Sequence, residues 1–187
     1  MIFGYDVIHG YKTIFPIPLA EAASFDPAAA GSPPASRRQG RGRRPALDVR
    51  ADGRRLARRA VGPDHGGLGR GRLPRLGDGG GPGRGFQGKD LAAVDTIAAC
   101  VKHYAGYGFG EAGRDYNTAD MSEHTLRNVV LPPFKAAAGA RATTFKQLVQ
   151  RDQGNPSTGN AHLQRDILKG EWGFQGFVVS DWGSIGR

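Results

Sequence analysis

The chain has 187 residues, enough for one domain with a sizeable core, but too few for a complete eight-fold β/α barrel, which needs about 250. A formal net charge of +9 would point to an anionic partner if it were spread over the surface. It is not: residues 31–85 hold fourteen Arg against four Asp, with no Lys or Glu, and the remainder is close to neutral. The single cysteine, Cys100, excludes an internal disulfide, and no apolar stretch approaches the ~18 residues of a membrane span.

Composition divides the chain into three zones. Residues 1–30 have globular character. Tyr5-Asp6-Val7-Ile8-His9 reads as a short buried strand, and Leu19 opens a helix-like stretch that Ser24-Phe25-Asp26-Pro27 breaks. Nothing at the N-terminus has the basic n-region and apolar h-region of a secretory signal.

Residues 31–85 contain fifteen Gly and no Phe, Trp or Tyr. Hydrophobic periodicity is absent. A segment of this kind buries too little apolar surface to offset an ordering entropy of roughly 1–2 kcal/mol per residue. It is expected to be disordered.

Residues 86–187 are globular again. Thr96 to Tyr104 is apolar enough for a buried strand, with Cys100 as a small buried hydrophobe and Lys102-His103 near the end. A glycine-rich loop follows (Gly106, Gly108, Gly110, Gly113). Asp120 and Glu123 have capping-box spacing for a helix that Pro132-Pro133 should interrupt. Ala161 to Trp172 reads as an amphipathic helix with Leu163, Ile167 and Leu168 inward. Gly173 to Gly176 makes a turn. Phe177-Val178-Val179-Ser180 is then a buried strand with Asp181 at its end. Alternation of this kind predicts an α/β fold, an incomplete (β/α)8 barrel carrying a disordered Arg/Gly insert. Barrels gather their catalytic groups at the C-terminal strand ends. Here three such ends carry polar residues: Asp6 with His9, Lys102 with His103, and Asp181.

At this level the chain resembles a known family. Tyr5-Asp6-Val7-Ile8-His9-Gly10, Thr13-Ile14-Phe15-Pro16 and Ala23-Ser24-Phe25 are similar to the early barrel of glycoside hydrolase family 3 β-glucosidases. So are Val101-Lys102-His103-Tyr104, Tyr116-Asn117-Thr118-Ala119-Asp120-Met121-Ser122 and Leu131-Pro132-Pro133-Phe134. The longest match is Glu171-Trp172-Gly173-Phe174-Gln175-Gly176-Phe177-Val178-Val179-Ser180-Asp181-Trp182. Each string is weak alone; the ordered set is specific.

The resemblance implies a retaining glycosidase acting on β-linked glucosides or oligosaccharides, without a cofactor or metal. It implies Asp181 as nucleophile, Asp6, Lys102 and His103 as groups that hydrogen-bond the sugar, and Trp182 as an aromatic beside it. The acid/base glutamate would lie on a later domain outside these 187 residues. It also implies a family that is often periplasmic or secreted. The residue types suit this chemistry independently. A retaining mechanism needs a carboxylate nucleophile and a carboxylic acid about 5–5.5 Å apart. Lys and His near the nucleophile can keep it ionised and grip sugar hydroxyls through charge-assisted hydrogen bonds.

Two windows depart from the family. Where it carries a buried strand and an Arg-Asp-x-Arg-Trp-Gly-Arg motif, this chain has its Arg/Gly segment. Read one base out of frame through GC-rich codons, Leu47–Asp52 becomes Trp-Thr-Phe-Ala-Pro-Met. In the same frame Gly53–Pro63 becomes Val-Asp-Val-Ser-Arg-Asp-Ala-Arg-Trp-Gly-Arg. A second shift turns Lys146–Asp152 into Asn-Ser-Leu-Phe-Asn-Glu-Ile, again family-like. As written, the chain is expected to lose a barrel strand and a sugar-binding arginine, and so to be inactive. Two other readings follow. One is a non-catalytic, pseudogene-like remnant. The other is a basic nucleic-acid-binding segment at 36–75, nonspecific because phosphate attraction needs only charge and no aromatics are present for base stacking. Oligomeric state is not legible.

Overall fold

The computed structural model describes residues 4–5, 47–52, 87–93, 96–114, 117–148, 151–152, 155–181 and 183–185, with the side chains of 4–5, 47–52 and 151–152 left aside. Five strands form one parallel sheet in the order β1-β2-β3-β4-β7. They are β1 (Gly4–Tyr5), β2 (Leu47–Asp52), β3 (Ala98–Tyr104), β4 (Thr144–Gln147) and β7 (Phe177–Val179). A short antiparallel pair, β5 (Arg151–Asp152) with β6 (Asn155–Pro156), lies between β4 and β7 in sequence. Parallel neighbours taken in chain order are what a barrel wall requires.

Strand β2 corrects the expectation for residues 31–85. Leu47–Asp52 pairs with β1 on one side and β3 on the other, so this window is not disordered throughout. Among the described residues a strand does occupy this place in the wall, between β1 and β3. Leu47, Val49 and Ala51 alternate with polar residues, a period-two pattern short enough to disappear in the composition of its surroundings. Two neighbours with open ladders supply its hydrogen-bond partners. The rest of 31–85, including all of the proposed nucleic-acid-binding stretch 36–75 except β2 itself, lies outside the described residues.

Helices cover one face. Glu123–Thr125 (α1) runs through a π-helical turn, Leu126–Val130, into Leu131–Gly139 (α2). His162–Glu171 (α3) is also wound with π-type turns. The cap of α1 is Ser122, whose Oγ accepts a hydrogen bond from Thr125 N at 3.2 Å, rather than Asp120. Pro132 and Pro133 do not interrupt the run. They occupy the opening positions of α2, where a missing N–H costs little, and the wide turn before them keeps the chain helical.

The core lies between sheet and helices. Val101, Tyr104, Phe145, Leu126, Val130, Phe134, Leu163, Ile167, Leu168 and Phe174 share one buried cluster. At its centre the Tyr104 ring meets Phe134, Phe145 and Trp172 edge-on, with centroids 5.4, 5.5 and 5.9 Å away. Each such pair adds about 0.5–1.5 kcal/mol beyond burial. Tyr104 Oη donates to Leu163 O at 2.8 Å, tying β3 to α3, and burial pushes its phenol far above the ordinary value.

At the opposite end of the strands Gln87 acts as a staple. Its Oε1 accepts from Ala99 N at 3.1 Å and Thr143 N at 2.9 Å, and its Nε2 donates to Arg141 O at 2.9 Å. Strand β7 is less buried than its apolar sequence suggests. Phe177 is 47% exposed, because β7 ends the sheet among the described residues. No described helix is long and apolar enough to cross a membrane.

Candidate active site

Val101 on β3 and Phe145 on β4 are register partners and both lie in the helix-side core. Side chains alternate along a strand, so Lys146, next after Phe145, projects to the other face. On β3 the alternation is broken. Val101 and Tyr104, three residues apart, both belong to the helix-side core, and the β3–β4 register slips between them. An extra residue is therefore accommodated, as in a β-bulge. Lys102 and His103 are thereby turned together toward the face that Lys146 occupies. All three are buried.

Asp181 follows β7 by two residues and is only 8% exposed. Its backbone oxygen accepts from Ser184 N at 3.2 Å and from Ser184 Oγ at 3.0 Å, which fixes the turn beyond the strand. Its carboxylate meets two basic side chains. His103 Nε2 stands 3.3 Å from Oδ2, and Lys146 Nζ stands 2.7 Å from Oδ1. The second distance is that of a charge-assisted hydrogen bond. The His103 ring also stacks on Tyr107, with centroids 4.8 Å apart and planes inclined at 29°. This orients the imidazole toward the carboxylate.

Two residues expected from the sequence, His103 and Asp181, are thus in direct contact. Lys102 sits beside His103, buried on the same strand. Asp6 and Trp182 lie outside the described residues. Lys146 and Tyr107 were not anticipated. Lys146 fell in a window that reads as out of frame, which hid a simpler signal: it closes the run Thr143-Thr144-Phe145 as Lys102 closes the run from Thr96, at a strand end. For Tyr107 no local signal exists, since its role depends on the bulge that turns His103. Among the described residues no group of His, Cys, Asp and Glu has the arrangement of a metal site.

A strand-end carboxylate flanked by basic groups can attack an electrophilic carbon or hold a cationic one. Comparison with known proteins narrows this chemistry. Residues 83–187 match the model of the glycosyl hydrolase family 3 N-terminal domain. The chain is 35% identical over 200 residues to a periplasmic β-glucosidase of Salmonella typhimurium, covering 99% of this chain and 24% of that protein. It is 39% identical over 106 residues to a β-xylosidase of Formosa agariphila, covering 55% of this chain and 15% of that one. The crystal structure of a Listeria innocua β-glucosidase in complex with glucose superposes with a TM-score of 0.82 at 35% identity, covering 99% of this chain and 26% of that one. An exo-1,3/1,4-β-glucanase of Pseudoalteromonas shares the fold, with a TM-score of 0.78 at 22% identity and coverage of 98% of this chain and 24% of that one. The chain therefore spans about a quarter of the length of these two β-glucosidases.

Proposed function

The chain belongs to glycosyl hydrolase family 3, and we propose on that premise that it carries the nucleophile side of a retaining β-glucosidase site. Asp181 is the nucleophile. Its carboxylate attacks the anomeric carbon of a terminal β-glucosyl residue and forms a covalent glycosyl intermediate that water then releases. Lys102, His103 and Asp6 hold the sugar hydroxyls, and Trp182 offers an apolar face to the ring. The observation that carries this reading is a buried carboxylate at a strand end, 3.3 Å from His103, inside the segment that matches the family. The glucose-bound Listeria enzyme, covering nearly the whole chain at a TM-score of 0.82, supports the substrate class. The Salmonella relative's periplasmic location supports export.

The test uses the enzyme with its reading frame restored in both windows and its remaining domains in place. Hydrolysis of an aryl β-glucoside should release glucose that is initially β, as a retaining mechanism demands. Asp181→Ala should abolish turnover while circular dichroism and melting stay unchanged. Initially α product would overturn the mechanism, and wild-type rates in Asp181→Ala would overturn the assignment.

The chain as written is read as inactive alone. The family resemblance puts the acid/base glutamate outside it, and loss of a general acid removes a factor of about 10²–10⁴. Its two family-foreign windows favour a non-catalytic remnant as the second reading.

A further inference from the structure

We propose that Lys146 masks the nucleophile: it is a built-in counter-ion that restrains the reactivity of Asp181 in this chain. This rests on reading Asp181 as the reacting carboxylate. Both of its oxygens are engaged, Oδ1 by Lys146 Nζ at 2.7 Å and Oδ2 by His103 Nε2 at 3.3 Å. The side chains of Lys146 and Asp181 are only 9% and 7% exposed. Water and salt therefore screen the pair weakly.

A carboxylate attacks through an oxygen lone pair. At Oδ1 one lone pair is directed at the Lys146 ammonium, which draws charge from the oxygen and lowers its nucleophilicity. A fixed positive charge next to the reacting atom also opposes the oxocarbenium-like transition state of glycosyl transfer. Both effects act in the same direction. Lys146 acts only through Asp181, so it is a positioning residue with a restraining effect. Its place on β4 is secured by Phe145, which anchors the strand in the helix-side core one residue earlier.

The test uses the 187-residue chain and 1,2-epoxypropane, a small uncharged electrophile that needs no sugar subsite. The Asp181 carboxylate attacks a ring carbon and forms an ester C–O bond. The ring C–O bond breaks, and the ring oxygen takes a proton from water. Peptide mapping follows the adduct on Asp181 with time. Lys146→Met should raise its rate at least about tenfold, equivalent to about 1.4 kcal/mol of barrier. Lys146→Arg retains the charge and should react as slowly as wild type. Equal rates in wild type and Lys146→Met would overturn the proposal. So would equal acceleration in both variants, or no reaction in any chain.

A second arm needs no variant and survives a failure of Lys146→Met to fold. A water-soluble carbodiimide takes up an Asp181 carboxylate oxygen, and Lys146 Nζ displaces it as the urea. The expected product is an internal Lys146–Asp181 amide with the elements of one water lost; its absence would overturn the proposal. The epoxide reaction involves no sugar, so its failure leaves the glycosidase reading standing. Failure of glycosyl transfer to Asp181 would in turn leave the masking result intact.

Discussion

At the scale of single residues, two side chains hold the sheet and the site in register. Tyr104 is buried, and its hydroxyl satisfies the carbonyl of Leu163. Tyr104→Phe keeps the aromatic contacts and removes only that hydrogen bond. Losing one net hydrogen bond costs roughly 0.5–1.5 kcal/mol, and a denaturant titration should read that loss with an unchanged slope. Asp181 and His103 were both legible in the sequence, because a polar residue closing an apolar run marks a strand end. Their contact was not, because it depends on the bulge that turns Lys102 and His103 to one face. Lys146 was hidden by its reading-frame context: the mismatch with the family concealed the literal strand Thr144–Gln147 that carries it.

At the scale of elements, the joint between α3 and β7 leaves no room for a side chain. A Cβ built on Gly176 would lie 2.0 Å from Thr143 O and 2.5 Å from Cζ of Phe174. Backbone cannot yield as a flexible side chain does, so Gly176→Ala should cost about 3 kcal/mol or more. The expected readout is a melting temperature lowered by several degrees, or insoluble protein. Sequence identified this turn through its glycines and the amphipathic helix through its spacing. It mistook the effect of Pro132-Pro133 because the accommodating π-turn precedes them and has no compositional mark.

The helices are joined at the surface by a charged cluster. Arg127 donates to both oxygens of Glu171 at 2.8 and 2.7 Å, and also to Glu123. His162 meets Glu123 at 3.1 Å and Asp166 at 3.3 Å. Burial opposes ionisation of Glu123, but hydrogen bonds from Arg127 and His162 hold its carboxyl below the ordinary 4.5. Burial likewise opposes protonation of His162, but hydrogen bonds to Glu123 and Asp166 raise it above the ordinary 6.5. A raised imidazole stabilises the fold fully below 6.5 and loses that contribution as pH climbs through its folded value. A depressed carboxyl does so above 4.5 and loses it as pH falls. The clasp is therefore strongest between these two values. Wild-type chain should melt at a lower temperature as pH rises from about 6 to 8, and in His162→Ala that decline should flatten. An unchanged slope in His162→Ala would remove the imidazole from the account. The effect is small because the groups are exposed.

At the scale of the whole molecule, the fold class was legible because helix, glycine turn and apolar strand recur in order. Strand β2 was not, because six alternating residues sit in an arginine- and glycine-rich stretch where bulk composition overrides period. The family was legible from ordered strings, and the model match over residues 83–187 supports it. The 187-residue chain should show no measurable hydrolysis of an aryl β-glucoside. Clear turnover abolished by Asp181→Asn would show that it is self-sufficient. The central claim is that Asp181 is the carboxylate that bonds to the sugar. The direct measurement is mass spectrometry of the frame-restored, full-length enzyme after incubation with an activated 2-deoxy-2-fluoroglucoside, whose intermediate forms faster than it hydrolyses. The account predicts one covalent sugar on the peptide that contains Asp181, and none in Asp181→Ala. A sugar on any other carboxylate would contradict it.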